Sequence, residues 1–334
     1  GSGRPGIQTG QHPDHETAGL MLSLLGGVFL GWSLGANDAA NAFGSAVSSK
    51  MLRFWTAAIL ASVFVLLGAI LEGQAGIDTL QGLTQLTLKK ATVASVAAAI
   101  TVTLMTLLGL PVSTSQAVVG AILGIGFLNQ QLDLTGLSKV VACWVGTPVG
   151  GLIIAIIVYK LLSEAFNRIN IDLFRTDILI RFLLVVAGSY AAYALGANNV
   201  ANVTAVFVGA GEISVFSATL IGGLSIALGI LTLSRSVMET IGKKLVRLDP
   251  FSALIVVLAE AITVHFFTFV GVPVSTSQAV IGAVLGVGIV KGANMVSRRT
   301  LTNILIGWFL TPAISGFISV SLFFAMNLYY VPAD

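Results

Sequence analysis

Two short segments, Leu34-Gly-Ala-Asn37-Asp38-Ala-Ala-Asn41 and Leu195-Gly-Ala-Asn198-Asn199-Val-Ala-Asn202, place carboxylate and amide groups inside runs that are otherwise apolar. A charged side chain at the centre of a bilayer costs roughly 2.5–3.5 kcal/mol on insertion scales, so an Asp in such a run marks a function or a polar partner. Asp38 and Asn41 are three residues apart, as are Asn199 and Asn202, and at that spacing each pair presents oxygens on one helix face. The preceding Gly35 and Gly196 predict local unwinding that frees backbone carbonyls. Carboxylate, amide and carbonyl oxygens suit a hard cation such as Na⁺, making Asp38, Asn41, Asn199 and Asn202 the candidate cation ligands. The plainer alternative is that these side chains only cap broken helices. Recurrence of the set in both halves of the chain favours the ion site.

A second pair of motifs, Pro111-Val-Ser113-Thr114-Ser115-Gln116 and Pro273-Val-Ser275-Thr276-Ser277-Gln278, combines a helix stop with a helix start. Proline ends the preceding helix, and Ser with Gln three residues later has the spacing of a capping box. Capping needs only the first Ser and the Gln, so Thr114, Ser115, Thr276 and Ser277 remain as polar groups for a ligand. A helix N-terminus exposes N–H groups and about half a positive charge, which suits an oxyanion. No Lys or Arg lies in either motif. An anion held there depends on dipoles, hydroxyls and co-bound cations.

Glu260 and His265 are the other ionisable residues well inside an apolar run; they lie five apart and off a common face, and a proton or ion relay competes with a structural role. Glu72 reads as a solvated charge at a helix end. The single Cys143 excludes a disulfide or thiolate cluster within this chain. No nucleophile–base set, P-loop or dinucleotide fingerprint occurs, so uphill transport would draw on an ion gradient.

The elements that carry these residues are helices in lipid. The 334 residues are 56% hydrophobic and only 9% charged, and mean hydropathy is +0.96. Ordinary soluble domains carry about 25% charged residues, so a soluble enzyme is excluded. The basic residues sit singly or in pairs, which argues against nucleic acid as a partner. The expected fold is an all-α polytopic membrane protein. Apolar runs predict crossings near 19–47, 54–71, 91–110, 112–128 and 138–160, then 178–209, 213–234, 251–271, 273–290 and 300–328. Segments 112–128 and 273–290 are short and Gly-rich, and each forms either a span or one arm of a re-entrant hairpin.

The landmarks repeat in order at offsets of 161 (34 to 195) and 162 (111 to 273), and Trp144-Val-Gly-Thr-Pro148 is echoed by Trp308-Phe-Leu-Thr-Pro312. An odd number of crossings per half predicts inverted repeats, at 19–165 and 178–328, joined by a linker at 166–177 and preceded by a polar tail at 1–18. With the N-terminus outside, only Arg4, Lys89, Lys90 and Lys139 of the 17 Lys and Arg residues face outward, so both termini are predicted outside.

At these motifs the chain resembles the inorganic phosphate transporter (PiT) family, whose members carry a Gly-Ala-Asn-Asp-x-x-Asn motif and a Pro-Val-Ser-Thr-Thr-His-like motif twice each. The resemblance covers 19–328. It implies ion-coupled uptake of inorganic phosphate through the cell membrane. Asn37, Asn198, Ser113, Thr114, Ser115, Gln116, Ser275, Thr276, Ser277 and Gln278 would then contact phosphate, with Na⁺ on the four residues above. Two departures stand out: Asn199 replaces the usual second Asp, and Gln116 and Gln278 replace His. Loss of the imidazoles removes an obvious proton carrier and favours Na⁺ over H⁺. The expectation is a Na⁺-coupled phosphate symporter without other cofactors. Its rivals are an H⁺-coupled phosphate or metal-phosphate permease, a sulfate permease and an anion channel. The sequence leaves the oligomeric state open, with a homodimer as one option.

Overall fold

A computed structural model describes residues 13–83, 86–107, 112–129, 132–168, 172–244, 248–292 and 298–329. They form eleven helices: α1 (Pro13–Ser48), α2 (Phe54–Glu72), α3 (Gln74–Gln81), α4 (Leu88–Leu107), α5 (Thr114–Asn129), α6 (Leu134–Arg168), α7 (Leu173–Gly209), α8 (Val215–Lys244), α9 (Pro250–Val270), α10 (Thr276–Lys291) and α11 (Arg298–Tyr329). Helices satisfy every backbone group within the segment, which lipid requires. Among the described residues seven helices are long and apolar enough to cross a membrane, whereas α5 and α10 are shorter apolar helices. Sixteen residues each, they are about 24 Å long at 1.5 Å per residue, short of a hydrocarbon core of about 30 Å. Phe309 and Phe317 of α11 and Trp55 of α2 point outward, as lipid-facing side chains do. The chain is a multi-pass membrane protein.

The helices expected from sequence are present, with differences at their ends. α1 begins at Pro13, inside the stretch read as a polar tail, and α6 and α7 run into the 166–177 stretch. The short α3 was not anticipated. It follows α2 after the single residue Gly73, and the small Gly76 lets it lie against Ala201 and Pro273.

The expected unwinding at Gly35 and Gly196 does not occur, because α1 and α7 are helical through both motifs. These glycines serve contact instead. A Cβ on Gly35 would strike the Ile226 carbonyl of α8, and one on Gly196 the Val65 carbonyl of α2. The contacts are reciprocal: Gly229 of α8 faces the Trp32 carbonyl of α1, and Gly68 of α2 faces the Tyr193 carbonyl of α7. Small residues allow such backbone approach, the main source of helix association where lipid and side chains are equally apolar.

The same contacts give the directions. Gly31, Gly35 and Gly44 of α1 meet Ser225, Ile226 and Met238 of α8 in order, so α1 and α8 are parallel. Gly68 and Gly73 of α2 meet Tyr193 and Val200, so α2 and α7 are parallel as well. Gly27 meets Phe207 while Gly188 meets Phe43, so α1 and α7 are antiparallel. Further out, α5 packs on α11 and α10 on α6. There Gly120 faces the Pro312 carbonyl and Gly282 the Pro148 carbonyl. The pairs α1 with α8, α5 with α11 and α1 with α4 become α7 with α2, α10 with α6 and α7 with α9 when the halves are exchanged.

Candidate functional site

The two hydroxyl motifs open α5 and α10. Ser275 caps α10, its Oγ accepting from the Gln278 amide at 3.2 Å, and Ser113 Oγ accepts from the Gln116 amide at 3.3 Å. Only half of each capping box forms, since the side-chain oxygens of Gln116 and Gln278 are buried without a hydrogen-bond partner instead of turning back to the serine amides. Pro111 lies outside the described residues.

Each Asn-rich segment meets the hydroxyl motif of the other half. Asn41 Nδ2 donates to Thr276 Oγ1 at 3.0 Å, and more loosely to Ser277 Oγ at 3.5 Å. Asn202 Nδ2 donates to Ser115 Oγ at 2.9 Å and to Asn199 Oδ1 at 2.8 Å. Ser115 Oγ in turn donates to the Val274 carbonyl at 2.9 Å, linking the start of α5 to the approach to α10. Asp38 is buried three residues before Asn41, which contacts the first turn of α10, and Asn37 Nδ2 donates to the Asp38 Oδ1 at 2.9 Å. A carboxylate at a helix N-terminus also gains from the helix dipole.

The amide of Asn198 is bonded on three sides. Its Oδ1 accepts from Val274 N at 2.8 Å, and its Nδ2 donates to the Val272 carbonyl at 3.3 Å and to Thr268 Oγ1 at 3.1 Å. These bonds hold the non-helical stretch 272–275 that follows Gly271, whose φ of 76° is left-handed and costs glycine little. Buried backbone groups need partners, and here a side chain supplies them.

The polar atoms left over mark where a ligand could bind. Thr114 Oγ1, Gln116 Oε1, Gln278 Oε1, Asn199 Nδ2 and Asn202 Oδ1 are buried without a protein partner, whereas Ser115 and Thr276 already have partners. Among the described residues no group of three or more His, Cys, Asp or Glu side chains could hold a metal ion. The chemistry available is that of neutral donors and acceptors at two helix starts, with Asp38 as the carboxylate. A hard cation accepts such oxygens, and an oxyanion accepts the donors.

The far end of α10 is fixed by a different contact. Lys291 Nζ donates to Asp249 Oδ2 at 2.6 Å, and Asp249, the N-cap of α9, also accepts from the Ser252 amide at 2.9 Å. Burial pushes the Asp249 carboxyl up, but the bonds from Lys291 and Ser252 outweigh it and hold the group down at about 2.

Sequence reasoning missed a network between α2, α7 and α9. Glu72, expected to be a solvated end charge, accepts from Tyr193 OH at 2.7 Å and contacts His265 Nε2 at 2.6 Å, while His265 Nδ1 bonds Tyr190 OH at 2.8 Å. Tyr190 and Tyr193 lie on the same helix as the second Asn-rich motif, and that proximity was the available signal.

The chain matches the phosphate transporter family over residues 34–319. It is 31% identical to the sulfate permease CysP of Bacillus subtilis over 325 residues, covering 95% of this chain and 90% of that protein. A candidate phosphate permease of Methanocaldococcus jannaschii is 30% identical over 296 residues, 89% of this chain and 94% of the relative. A solved structure described as the sodium-dependent phosphate transporter superposes with a TM-score of 0.84 at 26% identity, covering 93% of this chain and 99% of that one.

Proposed function

Because the chain belongs to the phosphate transporter family, we propose that it is a Na⁺-coupled symporter of inorganic phosphate working by alternating access between two inverted repeats. The observation that carries this reading is the exchange of partners between halves: Asn41 bonds Thr276 and Ser277, and Asn202 bonds Ser115. A site built from both halves at once can be taken apart when one moves against the other, as alternating access requires. The antiparallel packing of the corresponding helices α1 and α7 supports the inversion. Na⁺ as coupling ion is supported by the likeness to a sodium-dependent phosphate transporter. Na⁺ binds at Asp38, Asn41, Asn199 and Asn202. Phosphate binds between the starts of α5 and α10, on Thr114, Gln116, Gln278 and the neighbouring hydroxyls. The protein sits in the cell membrane with both termini outside.

The test is phosphate uptake by purified protein in liposomes with Na⁺ and H⁺ gradients imposed separately. A Na⁺ gradient alone drives accumulation, and Asp38→Asn lowers it by about tenfold or more, the effect of losing about 1.4 kcal/mol. Accumulation driven only by H⁺, or an unaffected Asp38→Asn variant, refutes the reading. The similarity to a sulfate permease favours a second substrate reading, sulfate on the same site. Sulfate carries no proton at neutral pH and needs donors alone, whereas phosphate also donates to an acceptor such as a carboxylate. Displacement of labelled phosphate by equimolar sulfate selects this second reading.

A further inference from the structure

The proposed mechanism leaves one buried carboxyl without a task. Glu260 in α9 is only 2% exposed, and its Oε2 has no hydrogen-bond partner. Its helix face continues through Val264, which packs against Ala194 of α7 and Ala279 of α10, to Thr268, which accepts from Asn198. The face carrying Glu260 is thus the one turned to the candidate site. Asp38, 3% exposed, lies on α1, which packs against both α9 and α10, and Asn41, one turn further along α1, bonds Thr276 at the start of α10. Among the described residues no Lys, Arg or His bonds either carboxyl; Asp38 accepts from the amide of Asn37, and the Oε2 of Glu260 has no partner. The residue matching Asp38 in the second half is Asn199, and the residues matching Glu260 in the first are Ala98 and Ala99. Each half therefore gives one carboxyl to the same buried region, from non-corresponding positions.

We infer that Glu260 and Asp38 together bind a Na⁺ ion, with the Thr276 hydroxyl as a third oxygen, so that Glu260 is a cation ligand outside the two duplicated motifs. Two carboxyls this deep are costly without a counter-charge. Na⁺ takes carboxylate and hydroxyl oxygens and needs no nitrogen or sulfur ligand. Asp38 is already oriented by the Asn37 amide, and the unpartnered Oε2 of Glu260 is an oxygen that the protein leaves for the ion. The inference deepens the Na⁺-symport reading and rests on it.

Two measurements test it. In the first, phosphate binding to purified protein is titrated with Na⁺ in wild type and Glu260→Gln. The variant is expected to need at least about tenfold more Na⁺ for half-maximal binding while still binding phosphate at saturating Na⁺. A folded Glu260→Gln variant with the wild-type Na⁺ requirement overturns the inference. In the second, wild-type protein is treated with a carbodiimide in Na⁺ or in choline, and labelling of Glu260 is read by mass spectrometry, which needs no variant to fold. Na⁺ is expected to suppress the label by about tenfold, and Na⁺-insensitive labelling overturns the inference. If wild-type phosphate binding ignores Na⁺ while Na⁺ still protects Glu260, the symport reading fails and the cation site stands. If phosphate binding requires Na⁺ but Glu260 is indifferent to it, only the inference fails.

Discussion

The bond between Asn202 and Ser115 joins the Asn-rich segment of one half to the hydroxyl motif of the other, and its energy can be isolated. Ser115→Ala removes two hydrogen bonds, the one from Asn202 and the one to the Val274 carbonyl. Asn202→Ala also removes two, those to Ser115 and to Asn199. The double variant loses three in total, because the Asn202–Ser115 bond is shared. A buried group stranded without its partner costs about 1–3 kcal/mol, so each single variant is expected to lose about 2 kcal/mol. Polar couplings between membrane helices average about 0.6 kcal/mol and reach about 1.7. Both partners are buried at the crossing of two halves, which places this bond in the upper part of that range. The double variant should therefore be about 1 kcal/mol more stable than the sum of the singles implies. The assay is reversible unfolding in mixed micelles for the four proteins, with Ser138→Ala as control, since Ser138 is exposed and bonds only the Thr135 carbonyl. Additivity of Ser115→Ala and Asn202→Ala within about 0.3 kcal/mol refutes a direct bond.

Gly196→Ala drives a methyl into the Val65 carbonyl and should cost about 1–3 kcal/mol in the same unfolding assay. Gly82→Ala, whose nearest neighbours are the Asp78 and Thr79 carbonyls at 3.6 Å, should be close to neutral, and equal effects would deny the close approach of α7 to α2. Asn198→Ala releases the 272–275 stretch, so hydrogen exchange at the Val274 amide is expected to accelerate by about tenfold or more, and unchanged protection counts against the clamp. Asp249→Asn keeps the α9 cap but removes the charge facing Lys291. The folded carboxyl is held at about 2, below its ordinary 3.8, so its stabilisation is complete above about pH 3.8 and is lost as pH falls through 2. Because the pair is partly exposed, a difference of only about 0.5 kcal/mol is expected at pH 7, vanishing near pH 2; a difference that persists there refutes it.

The helices were legible because lipid demands long apolar segments, and the duplicated motifs were legible because their order survives in both halves. Gly35 and Gly196 were misread for a physical reason. A glycine beside polar residues has the same appearance whether it loosens its own helix or admits a neighbouring backbone, and only the carbonyls of Ile226 and Val65 decide between them. The roles within the hydroxyl motifs were hidden similarly. Ser115 and Thr114 are adjacent and chemically alike, yet Ser115 is bonded to Asn202 and Val274 while Thr114 Oγ1 has no partner. That depends on helix rotation, which sequence spacing does not specify. Glu72 was undervalued because its partners, Tyr193 and His265, lie 121 and 193 residues away.

The reciprocal glycine contacts also bear on how the protein is made. The close backbone approaches of α1 and α2 are to α8 and α7, and those of α5 and α6 are to α11 and α10. During synthesis, then, the first half enters the bilayer while its main mates are still unmade. Until the second half is inserted, the helices of the first lack these partners, and Asp38 and Asn41 lack the start of α10 as their surroundings. Newly inserted first halves should accordingly be vulnerable to membrane proteases, and two halves expressed as separate chains should each accumulate only in the presence of the other.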